Sequence, residues 1–277
     1  MKKVKALVLT GYGINCDYET DYALKAAGAE SHRVHINELI KGEAIGQRVV
    51  LEDYHLLVFD GGFSWGDDHG AGVLLGNRLR YNIGDQVDRF IEDGKLIMGI
   101  CNGFQALVNF GLLPGFDGDY NKRDVALTFN DCGNFRNDWI YLIHGESPCV
   151  FTRGIERIEL PIRHGEGKFF ADDKVIARLF DAQQVVFQYA TPEWKSAEGA
   201  FPFNPNGSLQ DIAGICDPTG RILGMMPHPE AYNHATNHPD WTRTKESLKR
   251  KGESLPSEGL GIALFRNGVQ YVEEVLL

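Results

Sequence analysis

Two short stretches carry residue types that could do chemistry together. One is Gly99-Ile100-Cys101-Asn102-Gly103, a single cysteine between glycines; the other is Met226-Pro227-His228-Pro229-Glu230. A cysteine so placed, where an apolar run gives way to helical spacing, has the pattern of a nucleophile elbow. The glycines leave room for a strained turn that larger side chains would crowd, and the side chain between them is pushed out above the sheet. The helix that follows would point its N-terminal N–H groups at the sulfur and favour negative charge there. The N–H of Asn102 would also be placed to bind an oxyanion on a carbonyl under attack. A cysteine nucleophile wants a histidine base, and the base wants an orienting acceptor. His228 and Glu230 follow an apolar run, and two residues apart in extended backbone they would share one side of the chain. The bland alternatives are a buried small hydrophobe for Cys101 and a turn histidine between prolines for His228. Gly-x-Cys-x-Gly alone is a weak pattern; the second stretch is what tilts the reading toward catalysis.

A second oxyanion donor is sought in the loop Asp60 to Asp68, DGGFSWGDD, which offers N–H groups near Gly61, Gly62 and Phe63. Such a loop could also cradle phosphate, but it lacks the Lys and the Ser/Thr of a P-loop.

The elements that must position these residues alternate. Val4 to Leu9 and Leu56 to Asp60 read as buried apolar strands, and Leu96 to Gly99 as another. Asp17 to Ala27, closed by Gly28, and Leu74 to Asp93, closed by Gly94, have helical spacing. Apolar strands separated by helices predict a parallel sheet with helices covering it. In such sheets sites lie beyond the carboxyl ends of the strands. Both Asp60-Gly61-Gly62-Phe63 and Gly99-Ile100-Cys101 fall at such ends. From about Arg123 to Ala190 the character changes to short β-like runs (Ile140 to Ile143, Val175 to Ala177, Val185 to Tyr189), read as antiparallel additions. Ile212 to Cys216 and Ile222 to Met226 read as a hairpin around Asp217-Pro218-Thr219-Gly220. Leu260 to Leu276 reads as a terminal helix, although Asn267-Gly268 weakens it. The expected organisation is one domain over residues 1–277, with 233–256 as a surface insertion.

Composition narrows the class. A formal net charge of −10 without a basic stripe argues against nucleic acid as a partner. The densest basic stretch, Arg243 to Lys251, contains Glu246 and reads as a solvated surface. No apolar run approaches the ~18 residues of a membrane span, and the N-terminal run is too short for a signal peptide. Five scattered cysteines without paired spacing suggest reduced thiols in a cytoplasmic protein. His234 and His238 have H-x3-H spacing with Asp240 near; surface use is favoured over a metal site, since two histidines and a carboxylate are few ligands.

GINCDYET (Gly13 to Thr20), GGFSWGD (Gly61 to Asp67), GICNGFQ (Gly99 to Gln105), LPIRHGEGKF (Leu160 to Phe169) and MMPHPE (Met225 to Glu230) occur in one chain, in this order. Together they resemble the glutaminase subunits of phosphoribosylformylglycinamidine synthase, class I (triad) glutamine amidotransferases of purine biosynthesis, over about residues 4 to 232. The resemblance implies an α/β, flavodoxin-like class I glutamine amidotransferase fold, with a mostly parallel central sheet flanked by helices and antiparallel additions. It implies that Cys101 attacks the side-chain amide of L-glutamine, His228 shuttles the proton and Glu230 orients His228. Asn102 and the Gly62-Phe63 stretch would hold the oxyanion. Gln105 matches a position lining the glutamine pocket; His164, Gly165 and Glu166 match a loop facing it, although HGEGK could equally be a turn with one satisfied histidine. Ammonia would pass to a separate synthetase subunit, where ATP and magnesium are expected, so no cofactor and no metal are expected in this subunit. Whether a third small subunit joins them is open at this point. The chain after Glu230 is longer than in the familiar members, and residues 233–256 are a candidate docking element. Rival readings are an amidotransferase serving another synthetase, a cysteine hydrolase of the same fold, and a non-enzymatic scaffold. The loops argue against the first, the distant HPE against the second and the intact triad set against the third.

Overall fold

A computed structural model describes residues 3–40 and 48–277; Met1 and Lys2, the start of the N-terminal stretch read above, and residues 41–47 lie outside the described residues. Its strands are β1 (Lys5–Thr10), β2 (Glu30–His35), β3 (Leu56–Phe59), β4 (Leu96–Ile100), β5 (Ala126–Thr128), β6 (Arg136–His144), β7 (Arg157–His164), β8 (Lys168–Phe170), β9 (Val185–Ala190), β10 (Ile212–Cys216) and β11 (Ile222–Met225). Its α-helices are α1 (Asp17–Ala26), α2 (Ile36–Leu39), α3 (Val73–Glu92), α4 (Asn102–Phe110), α5 (Asp173–Asp181), α6 (Trp241–Arg250) and α7 (Ile262–Val275).

Nine strands form one sheet in the order β2-β1-β3-β4-β11-β10-β9-β6-β7, and β5 pairs with β8 in a separate two-stranded ribbon. The half from β2 to β11 is parallel. The half from β11 to β7 is antiparallel. Every residue of β3, β4 and β11 is buried, as continuous apolar strands under helices must be. On the helical layers α3 packs against α4, and α1 against α7. The expected parallel sheet with antiparallel additions is therefore observed.

The hairpin at Asp217 forms as expected. The buried Asp217 carboxylate accepts from the N–H groups of Thr219, Arg221 and Ile222 and from the Thr219 hydroxyl, which pins the turn between β10 and β11. Two expectations change. Val175 to Ala177 is not a strand but the middle of α5, where Ile176 and Leu179 face the core. A three-residue apolar run satisfies both periods, and only its flanks could have separated them. Asn267-Gly268 does not weaken α7 either. Asn267 Nδ2 donates to the carbonyls of Phe151 and Arg153, both at 2.9 Å. A Cβ at Gly268 would lie 2.9 Å from the Phe151 ring, so glycine there permits close packing. The polar run after Asn233 holds α6, a helix with no buried residue.

Candidate active site

The two chemical stretches end on neighbouring strands. β4 and β11 pair in parallel, with Met225 opposite Ile100, and the Cys101 N–H donates to the Met225 carbonyl at 2.8 Å. Both strands end at the same edge of the sheet, so Cys101 and His228 come within electrostatic reach of each other although 127 positions separate them in sequence. At the elbow Cys101 takes φ 51°, ψ −105°, strained for a residue with a Cβ. Gly103 explains what holds it there: a Cβ at that position would sit 1.8 Å from the Phe59 carbonyl oxygen. Gly99 is similarly enclosed, 2.5 Å from Leu107 Cδ1. The first turn of α4 thus presses onto the end of β3, which the two glycines allow. Cys101 is buried, with its sulfur 3.6 Å from the Arg163 carbonyl.

The His228 N–H donates to the Pro161 carbonyl at 2.8 Å, tying the residue to β7. Its Nδ1 lies 2.5 Å from Glu230 Oε1, with both side chains nearly inaccessible. The sequence reading expected extended backbone here. Instead Pro229–Ala231 forms one 3-10 turn, because Pro229 is preset for the first position of such a turn. The turn folds Glu230 back onto the ring, and the pair forms by a different local route. Burial by itself would hold the His228 imidazole low. The Glu230 carboxylate and then Cys101 outweigh it, and the imidazole is raised well above its ordinary value.

The residues expected to hold the oxyanion are placed as follows. Residues 13–15 pair with 61–63: Asn15 N–H donates to the Gly61 carbonyl at 3.2 Å, and Phe63 N–H to the Gly13 carbonyl at 2.9 Å. Phe63 N–H is therefore engaged and is not a free donor, which corrects the expectation; its ring instead stands half exposed at the mouth of the site. The Gly62 N–H has no hydrogen-bond acceptor among the described residues. The Asn102 N–H opens α4, where N–H groups lack intrahelical acceptors. These two remain as donors.

Asn102 and Gln105 are buried and joined, Asn102 Nδ2 donating to Gln105 Oε1 at 3.3 Å and to Asp67 Oδ1 at 3.2 Å. Gln105 Nε2 donates to the Glu166 carbonyl, so the residue fastens the 164–167 loop to α4. Glu166 Oε2 in turn accepts from the Ala71 N–H at 3.2 Å. Burial and then the neighbouring Glu166 push the Asp67 carboxyl up to about 6. His164 is buried, its Nδ1 lying 3.2 Å from Asn130 Oδ1, and burial followed by the nearby His228 holds it down to about 3. Gly165 is half-buried and its carbonyl accepts from the Asn130 N–H at 2.9 Å. His164 is held at Nδ1 by Asn130 and lies near His228, while its buried Nε2 has no hydrogen-bond partner among the described residues, so the histidine is not fully satisfied.

Two features beside the triad were not anticipated. Cys16 brings its sulfur within 4.8 Å of ligand atoms on His228 and Glu230. Burial pushes this thiol up to about 11, although the neighbouring His228 pulls the other way. Behind it, buried Asp60 accepts from Thr20 Oγ1 at 2.5 Å and is raised well above the usual carboxylate range, chiefly by burial. Cys16 and Thr20 both lie in GINCDYET, so the signal was the motif itself. His234 and His238 do not converge: His234 Nδ1 contacts Thr236 Oγ1 at 2.7 Å, while His238 Nε2 lies 3.0 Å from Glu159 Oε1 and its ring packs on Trp139.

A thiol on an elbow, a buried imidazole–carboxylate pair and two unengaged N–H groups suit attack on a carboxamide or ester carbon. Comparison with known proteins narrows this. The model of the CobB/CobQ-like glutamine amidotransferase domain matches residues 3–272. The phosphoribosylformylglycinamidine synthase subunit PurQ of Methanococcus maripaludis is 45% identical over 96% of this chain and 97% of its own. The PurQ subunit of Dehalococcoides mccartyi is 44% identical over 99% of this chain and all of its own. A chain in the structure of PurLQS from Thermotoga maritima superposes with a TM-score of 0.69 at 28% identity, over 98% of this chain and 100% of that one.

Proposed function

This chain belongs to the family of CobB/CobQ-like glutamine amidotransferases, among the PurQ subunits of phosphoribosylformylglycinamidine synthase, and from that premise we propose how its residues perform the glutaminase half-reaction. It is the glutamine amidotransferase subunit of that synthase, an enzyme of purine biosynthesis, and its partner is the synthetase subunit. In the proposal His228 takes the Cys101 thiol proton as the sulfur attacks the amide carbon of L-glutamine. Glu230, fixed on Nδ1, holds the ring in the tautomer that presents Nε2 and stabilises the imidazolium that forms. The N–H groups of Gly62 and Asn102 receive the oxyanion. Imidazolium returns the proton to the leaving nitrogen, which departs as ammonia and leaves a glutamyl thioester. Water activated by the neutral imidazole then releases glutamate and restores the thiol. Gln105, His164 and Gly165 form and brace the wall of the glutamine pocket. The observation that carries this is the placing of Cys101 and the His228–Glu230 pair, within electrostatic reach, at the ends of adjacent parallel strands.

Ammonia travels to the synthetase subunit, where ATP and magnesium act; the proposal gives this subunit no cofactor of its own. A small third subunit is the further partner, supported by the likeness to a chain of PurLQS. Among the described residues no helix is long and apolar enough to cross a membrane. All five cysteines are free, which supports a cytoplasmic location. The test is the complex carrying Cys101→Ala. Glutamine-dependent synthesis should vanish while synthesis from added ammonium salt persists. Loss of both, or survival of both, would contradict the scheme.

A further inference from the structure

Two free thiols that the triad does not use are brought together at the other end of the sheet. Cys149 lies in the loop between β6 and β7, and Cys216 ends β10, 67 positions further along the sequence. Their segments are laced to each other. Ser147 Oγ lies 3.3 Å from Cys216 Sγ and accepts from the Cys149 N–H at 3.2 Å, so one hydroxyl touches both residues. The Val150 N–H donates to the Gly220 carbonyl at 2.8 Å. A Cβ at Gly220 would lie 2.1 Å from the Pro148 carbonyl oxygen, so the Asp217 turn presses directly on the loop. Cys216 is fixed from its other side by Gln184. Its N–H donates to the Gln184 carbonyl at 2.9 Å, and its carbonyl accepts from Gln184 Nε2 at 2.8 Å.

The two thiols are unequal. Burial alone would push the Cys149 thiol up, but Cys216 and then Thr152 outweigh it and hold it below its ordinary value. The Cys216 thiol is raised, first by Cys149 and then by burial. Two adjoining thiols do not both ionise: the proton kept by one stabilises the thiolate of the other. Cys149 is also the thiol with a way in. With His144, Ser147, Thr152 and Arg153 it lines a cavity of about 550 Å³, whereas Cys216 lies behind it, wholly buried. A thiol that ionises more readily at an opening, backed by a protonated one, has the layout of an attacking and a resolving cysteine.

From this geometry we propose that Cys149 and Cys216 form a modification site for hydrogen peroxide, closing to a reversible disulfide that staples the β6–β7 loop to the β10–β11 hairpin. The Cys149 sulfur attacks one peroxide oxygen. An S–O bond forms, the O–O bond breaks, and the other oxygen leaves as water with the thiol proton. The Cys216 sulfur then attacks the Cys149 sulfenic acid. The S–S bond forms, the S–O bond breaks, and the oxygen leaves as a second water with the Cys216 proton. Two thiols are oxidised and one peroxide is reduced. Cys216 pairs with Leu223 near the start of β11, and the triad lies beyond the far end of that strand, so the staple leaves the glutaminase site in place.

The test exposes the full chain to hydrogen peroxide at neutral pH, blocks remaining thiols by alkylation and digests it without reductant. The expected product is a peptide joining Cys149 to Cys216, about 2 Da lighter than its two reduced parts together and split by dithiothreitol. Melting is followed in the full chain carrying Cys101→Ala, where the nucleophile cannot be oxidised. There peroxide should raise Tm by about 5–10 °C, because the cross-link closes a long loop, and dithiothreitol should reverse the rise. Cys149→Ser and Cys216→Ala, each added to that chain, should abolish the rise. Each alone in the complex should keep glutamine-dependent synthesis near the wild-type rate. Peroxide that converts Cys149 only to sulfinic or sulfonic acid, or that leaves both thiols free while Cys101 oxidises, would overturn the proposal. So would a cross-link that forms only in urea, and a disulfide that leaves Tm unchanged would overturn the staple.

Discussion

His228 Nδ1 and Glu230 Oε1 lie 2.5 Å apart, with the two side chains only 2% and 1% exposed. A contact so dry makes the carboxylate the main support of a charged imidazole, because water can supply little of it. Replacing Glu230 with Gln keeps the shape and removes the charge. The complex carrying Glu230→Gln should lose about 10²- to 10⁴-fold in glutamine-dependent kcat, the range of a disabled general base. Ammonium-dependent synthesis should be retained. A variant within a few-fold of wild type on glutamine would show that the carboxylate does not support the base.

His164 makes a pH prediction. It is buried and held down to about 3, whereas a histidine in the unfolded chain titrates near 6.5. Between those values the unfolded state binds the extra proton. The contribution is therefore fully present above about pH 6.5 and is lost as pH falls toward 3, by up to about 1.4 kcal/mol per pH unit. His164→Gln, which cannot take up that proton, should show a shallower fall in Tm between pH 6.5 and 4.5. Parallel slopes for variant and wild type would mean that another group governs acid unfolding.

Gly103 tests the elbow. An added Cβ would meet the Phe59 carbonyl oxygen at 1.8 Å, a backbone atom that cannot swing aside. Gly103→Ala should cost about 1–3 kcal/mol in urea unfolding, as overpacking does. It should also shift the Cys101 turn enough to slow labelling by 6-diazo-5-oxonorleucine. A variant as stable and as reactive as wild type would show that the first turn of α4 can slide off β3 at little cost.

The two thiols near His228 should differ in reactivity. Cys16, pushed up to about 11 mainly by burial, stays protonated at neutral pH and should resist alkylation. Iodoacetamide at pH 7.5, followed by peptide mapping, should mark Cys101 well before Cys16. Equal labelling of both would show that the pocket around Cys16 is open to solvent.

How much of this was legible beforehand depends on the range of the interaction. The elbow was legible because Gly99 and Gly103 respond to a local need for space, and the Asp217 turn because its acceptor and donors lie within five residues. Val175 to Ala177 was misread because three residues cannot distinguish a period of 2 from 3.6 once both flanks are polar. The Phe63 N–H was misassigned for a different reason. Its acceptor, the Gly13 carbonyl, comes from a segment fifty positions away, and nothing near Phe63 announces it.

The sequence by itself determined the chemical groups and their local geometry: a thiol in a strained turn, an imidazole with a carboxylate two residues on, and a parallel sheet to carry them. These follow from backbone sterics and apolar spacing, which act over a few residues. Only the tertiary structure decided that β11 lies beside β4 and so joins the thiol to its base. It also decided that, among the described residues, the Gly62 N–H rather than that of Phe63 lacks an acceptor, and that Cys16, Asp60 and His164 are dry enough to have their protonation shifted. Strand adjacency, hydrogen-bond partner choice and burial depend on segments distant in sequence being packed together, and no local pattern carries that information.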